Sequence, residues 1–128
     1  MSKDDTTLSV LIADHEPEVR QALRLVCEES LGLTISAEAS NYDELLLQIN
    51  TLHPDILLLE WELPDLQPIS LLNELHTTHS VSTVVMGRHP EARTKALESG
   101  TDGFVYKGDP PDELIHLLRT IIEARSYA

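Results

Sequence analysis

The run Ile56-Leu57-Leu58-Leu59 is apolar at every position and follows a break at Pro54-Asp55. A strand that alternates apolar and polar residues buries one face, whereas a strand that is apolar throughout buries both. Strands of the second kind lie in parallel sheets, where helices cover both faces. The run therefore predicts a central parallel strand, and it requires the rest of the chain to supply helices for two faces.

Segments of strand character and helix character alternate along the chain. The predicted strands cover residues 8–13, 33–39, 56–59, 81–86 and 103–106, and a stretch with apolar residues at helical spacing follows each of them. Such alternation is typical of right-handed βαβ units in a doubly wound α/β fold. We expect one domain over residues 8–126, an extended or disordered tail over residues 1–7, and no second domain in this chain.

The charge of the chain excludes several classes of partner. Its formal net charge is −13 at pH 7, and an acidic surface repels nucleic acid and anionic membranes, so this domain alone should bind neither. No apolar run approaches the ~20 residues that cross a bilayer, and the N-terminus carries no basic-then-apolar signal. The single cysteine, Cys27, cannot form an internal disulfide, which favours the cytoplasm.

Polar side chains stand at the carboxyl ends of the predicted strands. Asp14 follows the first strand, Glu60 the third and Lys107 the fifth. In a doubly wound sheet these ends share one edge, where functional groups collect. We therefore expect two carboxylates and a lysine from distant parts of the chain to converge there, in a site suited to a phosphoryl group or a divalent cation.

Four stretches resemble the receiver domains of two-component response regulators: VLIAD (10–14), PDILLLEWELP (54–64), ALESGTDGF (96–104) and KGDPPDEL (107–114). The last stretch is most similar to the LuxR/NarL-type transcriptional regulators. The resemblance covers nearly the whole chain. It implies a CheY-like, flavodoxin-like fold, with a five-stranded parallel sheet in the order 2-1-3-4-5 and five helices. It also implies phosphorelay signalling, in which a histidine kinase donates a phosphoryl group to an aspartate after the third strand.

Matched residue by residue, the resemblance places Glu60 at the phosphoacceptor position. It gives Asp14 as the first acid of the acidic pocket, and His15 stands where a second acid is usual. Lys107 corresponds to the lysine that contacts phosphoryl oxygens. If Mg²⁺ binds, the resemblance implies Asp14, Glu60 and the backbone carbonyl of Glu62 as its ligands.

The expected charge of this site argues against a bound cation. An ordinary receiver site gathers three carboxylates against one lysine, whereas here Asp14 and Glu60 face Lys107, which leaves a charge of about −1. A protonated His15, or Arg88 folding inward, would neutralise that charge. A neutral imidazole also suits Mg²⁺ poorly, so we expect no cofactor.

Two further departures concern the switch that the resemblance implies. Gly87 stands at the Ser/Thr position after the fourth strand, so the hydroxyl that links phosphate to the switch aromatic, Phe104, is missing. Glu60 is one methylene longer than aspartate and could meet Lys107 directly, in partial imitation of a phosphorylated state. A constitutive mimic and an inert scaffold are equally open interpretations of Glu60.

We therefore expect an atypical, non-enzymatic receiver that works without phosphorylation as a regulatory protein-interaction or dimerisation module. Its partners would be proteins: a sensor histidine kinase, an output domain or a second copy. Both a DNA-binding transcriptional regulator and a stand-alone receiver stay open as its source. One alternative is a working Mg²⁺-dependent phosphoacceptor, with Glu16 assisting Asp14. A small-ligand or flavin site is disfavoured, because no glycine follows the first strand.

Overall fold

The apolar run around Leu57 is the middle strand of a five-stranded parallel sheet. The computed structural model describes residues 7–78 and 80–126. Its strands are β1 (Ser9–Ala13), β2 (Thr34–Ala39), β3 (Ile56–Glu60), β4 (Ser82–Gly87) and β5 (Gly103–Tyr106). Their spatial order is β2-β1-β3-β4-β5, and every neighbouring pair is parallel. The predicted fold and strand order are confirmed.

Five α-helices alternate with these strands in the described part of the chain: α1 (Pro17–Leu25), α2 (Tyr42–Leu52), α3 (Pro68–Thr78), α4 (Pro90–Glu98) and α5 (Pro111–Ser126). Proline opens four of them, as expected for a residue with a fixed φ and no N–H to satisfy. In α2 the side chain of Asn41 instead accepts a hydrogen bond from the Glu44 N–H at 2.9 Å. Within the described residues, no helix has the length and hydropathy of a membrane span.

Two separate cores cover the two faces of β3, and all five residues of this strand are buried. Leu57 and Leu59 pack into the core shared with α2, α3 and α4, whereas Leu58 packs into the core shared with α1 and α5. The alternation of side chains along the strand sends neighbouring residues into opposite cores. This double burial is the arrangement that an uninterrupted apolar run predicts.

At the carboxyl edge of the sheet, β3 and β4 each end one residue later than predicted. Glu60 is the last residue of β3 and pairs with Met86, and Gly87 is the last residue of β4. A π-helical segment, Val26–Ser30, also continues α1 and was not predicted. Gly32 then adopts a φ of +65°, in the left-handed region that glycine tolerates.

Candidate functional site

The ammonium of Lys107 lies at the centre of a carboxylate cluster on the carboxyl edge of the sheet. Its Nζ is 2.7 Å from Glu16 Oε1, 2.8 Å from Glu60 Oε2 and 2.9 Å from Asp14 Oδ2. We call Asp14, His15, Glu16, Glu60 and Lys107 the Lys107 cluster. The convergence of Asp14, Glu60 and Lys107 expected from the sequence is present.

Glu60 is held from both sides. Its side chain is fully buried, and Oε1 accepts the His15 backbone N–H at 2.8 Å and lies 2.7 Å from His15 Nδ1. Burial alone raises the pKa of the Glu60 carboxyl, but the hydrogen bonds from Lys107 and His15 together bring it below its ordinary value. Glu60 is therefore a carboxylate near neutral pH, with both oxygens engaged.

Asp14 is also fully buried, and its environment opposes its charge more strongly. Oδ1 accepts the Glu16 N–H at 2.8 Å. Burial raises the pKa of Asp14, and the hydrogen bond from the Glu16 N–H and the nearby ammonium of Lys107 offset this only in part. Burial alone lowers the pKa of Lys107, but its three carboxylate partners raise it above the ordinary value. Lys107, with a side chain only 4% exposed, thus stays charged.

His15 lies at the mouth of the cluster with 45% of its side chain exposed. The hydrogen bond to Glu60 raises the pKa of His15. Because Glu60 is an ionised acceptor, Nδ1 of His15 must carry the proton in their contact. Protonation of the remaining ring nitrogen would then place a full positive charge beside Glu60.

Glu16 corrects the charge count made from the sequence. That count set two carboxylates against Lys107, but Glu16 is a third, and its Oε1 also lies 2.9 Å from Arg88 Nη2. The bond to Lys107 lowers the pKa of Glu16. Three carboxylates against Lys107 and Arg88 leave one negative charge while His15 is neutral and none once it is protonated. The sequence signal for this third carboxylate was the position of Glu16, two residues after Asp14 at the same strand end.

The donor set of the cluster does not fit a bound Mg²⁺ in this arrangement. Ligand atoms of Asp14, His15, Glu16 and Glu60 lie within 4.8 Å of one another, as a cation site requires. However, the ammonium of Lys107 already contacts an oxygen of each carboxylate. Mg²⁺ needs near-octahedral oxygen ligands at about 2.0–2.1 Å, so Lys107 would have to leave. The suggested backbone ligand, at Glu62 in the turn after β3, does not change this.

Gly87 makes room for the ring of Phe104. A Cβ at Gly87 would lie 3.1 Å from Phe104 Cζ and 3.2 Å from Ala92 Cβ. Phe104 is 7% exposed, and its ring stands edge-on to Tyr106 with centroids 5.1 Å apart. The sequence predicted a missing hydroxyl at residue 87, but it could not show that the aromatic ring occupies the space.

Comparisons with known proteins agree with this architecture. Residues 10–119 match the family model of the response regulator receiver domain. The chain is 30% identical, over 118 residues, to the phosphate regulon transcriptional regulatory protein PhoB of Klebsiella pneumoniae, covering 88% of this chain and 51% of that protein. It is 27% identical, over 121 residues, to the nitrate/nitrite response regulator protein NarL of Escherichia coli (strain K12), covering 92% of this chain and 56% of that protein. The chain thus spans about half the length of these relatives.

A solved structure gives the same fold. The DNA-binding response regulator of the LuxR family from Staphylococcus aureus superposes with a TM-score of 0.80 at 21% identity, covering 90% of this chain and 98% of that chain. At this identity the likeness concerns the fold, including its layers and strand order.

Proposed function

This chain belongs to the response regulator receiver domain family of two-component signalling, and we propose that it is a member of that family that works without phosphorylation. It would act as a regulatory protein-interaction module and not as an enzyme, in the cytoplasm. Its proposed partners are a sensor histidine kinase, an output domain or a second copy of itself.

The contact between Glu60 and Lys107, at 2.8 Å, carries this proposal. The resemblance places Glu60 at the phosphoacceptor position and Lys107 against the phosphoryl oxygens. Here the carboxylate of Glu60 is itself the partner of Lys107. Oε1 of Glu60 already accepts two hydrogen bonds from His15, and Oε2, the oxygen left to attack phosphorus, is held against the Lys107 ammonium, which lowers its nucleophilicity. Glu60 is therefore better placed to imitate a phosphoryl group than to accept one.

The position of Phe104 favours a mimic over an inert scaffold. In the family a switch aromatic changes position when the domain is phosphorylated, and α4 and β5 then present a different face. The ring of Phe104 is buried over Gly87, where a side chain at residue 87 would crowd it. We propose that this packing holds the α4–β5 face in one arrangement without a phosphoryl group.

The first test concerns phosphorylation itself. Trp61 is the sole tryptophan, adjoins Glu60, and donates its backbone N–H to Met86 O at 2.8 Å, so its fluorescence reports on this edge. We expect no saturable change with millimolar Mg²⁺ and beryllofluoride, and no phosphoryl group in the intact mass after incubation with acetyl phosphate. A receiver with aspartate at the acceptor position serves as the positive control. Saturable binding or a phosphorylated protein would establish the alternative, a working Mg²⁺-dependent phosphoacceptor.

The second test separates a mimic from a scaffold. Phe104 is the only phenylalanine in the chain, so fluorophenylalanine labelling gives a single ¹⁹F resonance. The variant Glu60→Gln should shift or broaden this resonance and alter self-association measured by sedimentation. Glu62→Gln, the same change at an exposed position in the turn that follows β3, should do neither. If Glu60→Gln behaves like Glu62→Gln in both measurements, Glu60 is an inert replacement.

A further inference from the structure

The helix α4 has few means of holding its own position. Its buried residues are two alanines, Ala92 and Ala96, and its leucine, Leu97, is 44% exposed. His89, at the N-cap, makes no side-chain hydrogen bond to the first turn. A helix of nine residues that buries so little apolar area is only weakly stabilised. Its position should therefore depend on contacts made by the loop that leads into it.

Arg88 supplies such a contact. It follows Gly87, the last residue of β4, and precedes His89 at the start of α4. Its Nη2 lies 2.9 Å from Oε1 of Glu16, which stands between β1 and α1. The two residues are 72 positions apart in the chain, so this ion pair joins two loops on the carboxyl edge of the sheet.

The carboxylate of Glu16 is itself held from within the Lys107 cluster. The oxygen that faces Arg88 also lies 2.7 Å from Nζ of Lys107, whose side chain is only 4% exposed. One oxygen thus stands between a buried ammonium and an exposed guanidinium. Because the same ammonium contacts Asp14 and Glu60, a change of charge at either carboxylate alters how Lys107 holds Glu16. The acceptor offered to Arg88 changes with it.

We propose that the ion pair between Glu16 and Arg88 couples the Lys107 cluster to the position of α4. The family resemblance gives a hydroxyl at residue 87 as the link out of the site, and Gly87 has none. The ion pair leaves the cluster by another route, through the side chain of the next residue. Arg88 is a positioning residue in this arrangement. The inference rests on the proposed function, since it supplies the means by which Glu60 would act on the α4–β5 face.

Amide hydrogen exchange of α4, followed by mass spectrometry, tests this coupling. Arg88→Gln and Glu16→Gln should each raise exchange of the amides bonded within α4 by about two- to fivefold, the range that an exposed ion pair supports. In the Glu16→Gln background, Arg88→Gln should add nothing, because the contact is already lost. Arg93→Gln, which removes an exposed arginine of α4 itself, is the matched control, and its effect should add to that of Glu16→Gln.

Salt gives a second measurement that needs no change to the native chain. A rise in KCl to about 1 M shortens the screening length to about 3 Å. Exchange of α4 in the native chain should then approach the rate seen in Arg88→Gln. Exchange in Arg88→Gln itself should change by less than about 1.5-fold, because the remaining contacts of Lys107 are buried and poorly screened.

Glu60→Gln shows whether the cluster reaches α4 through this pair. It alters the cluster without removing Glu16 or Arg88, and it should raise exchange of α4 more in the native chain than in the Arg88→Gln background. Equal rises, or none in either, would overturn the coupling. Additive effects of Arg88→Gln and Glu16→Gln, or a salt response that Arg88→Gln retains, would also overturn it and leave an ordinary surface ion pair.

These failures differ from a failure of the proposed function. Phosphorylation without the pair's involvement would appear in the intact mass, and an inert Glu60 would appear as an unmoved resonance of Phe104 and unaltered self-association in Glu60→Gln. The comparison of Glu16→Gln with Arg88→Gln and the salt response of α4 report on the ion pair alone. A result against the pair therefore leaves the mass and resonance tests to decide the proposed function.

Discussion

Replacement of Lys107 by methionine should destabilise the fold more than any other single loss of charge at this edge. Methionine keeps an unbranched stem but removes the ammonium from its carboxylate partners. Asp14 and Glu60 are fully buried, whereas the Glu16 side chain is 26% exposed and loses little. Removal of one partner from a buried ion pair costs about 3–5 kcal/mol. Since a domain's whole stability is about 5–15 kcal/mol, Lys107→Met should remain folded with a much reduced margin.

The stability lost in Lys107→Met should depend on pH, because the buried carboxyls titrate. Without Lys107, the folded-state pKa of Asp14, which burial already holds above its ordinary value, rises further, and the pKa of Glu60 loses the hydrogen bond that does most to lower it. A group of this kind contributes stability that is present below its unfolded pKa and lost as pH rises through its folded pKa. The deficit of Lys107→Met against the native chain should therefore be smaller at pH 5 than at pH 8.

Urea unfolding followed by Trp61 fluorescence and by circular dichroism measures this deficit. Lys95→Met, on an exposed position of α4, is the matched control and should change stability by less than about 0.5 kcal/mol. Millimolar Mg²⁺ should stabilise Lys107→Met and not the native chain, because the carboxylates are freed from the ammonium only in the variant. A deficit below about 1 kcal/mol at pH 8 would refute the buried-pair reasoning, and Mg²⁺ stabilisation of the native chain would refute the argument against a cation.

Three other changes test separate parts of the structure. His15→Gln should flatten the pH dependence of native stability, measured by urea unfolding at several pH values. The hydrogen bond to Glu60 raises the folded-state pKa of His15. Stabilisation by His15 is therefore complete below its unfolded-state pKa and is lost as pH rises through its folded-state pKa. Gly87→Ser should lower the free energy of unfolding by about 1–3 kcal/mol through overpacking. It should also displace the ring of Phe104 and so shift the single ¹⁹F resonance. An unchanged resonance would mean that residue 87 does not confine the ring. Cys27, whose burial raises the pKa of its thiol to about 12, should react with a thiol reagent only under unfolding conditions, and rapid modification of the native chain would contradict that burial.

The fold was predictable because its strongest signals are local. An uninterrupted apolar run means a doubly buried strand, and the alternation of strand and helix patterns leaves few topologies. The π-helical segment Val26–Ser30 was missed, since apolar spacing near one turn does not distinguish an i→i+4 from an i→i+5 hydrogen bond. Boundaries such as the end of β3 at Glu60 depend on pairing with Met86, which only the assembled sheet supplies.

The site was predictable as a location and less so as a set of contacts. Strand ends share an edge, so Asp14, Glu60 and Lys107 had to approach one another. Which of the consecutive polar residues after β1 turns inward depends on the path into α1, and Glu16 was consequently left out of the charge count. The hydrogen bond from Arg88 Nη2 to Glu16 Oε1 spans 72 residues and has no local sequence signal.

The distribution of cations explains how three carboxylates can lie side by side at this edge. The chain has 22 acidic residues and only nine Lys and Arg, yet Lys107 and Arg88 both lie within 2.9 Å of a carboxylate of the cluster, and His15 adds a titratable third. The counter-charge that a divalent cation would otherwise supply is therefore built into the chain. A phosphoryl group brings about −1.5 to −2 charge and three acceptor oxygens, and the donors that would receive them already hold Glu16 and Glu60. An incoming phosphoryl group would have to displace these contacts before it gains its own, and this exchange is the physical basis on which we propose that the domain works without phosphorylation.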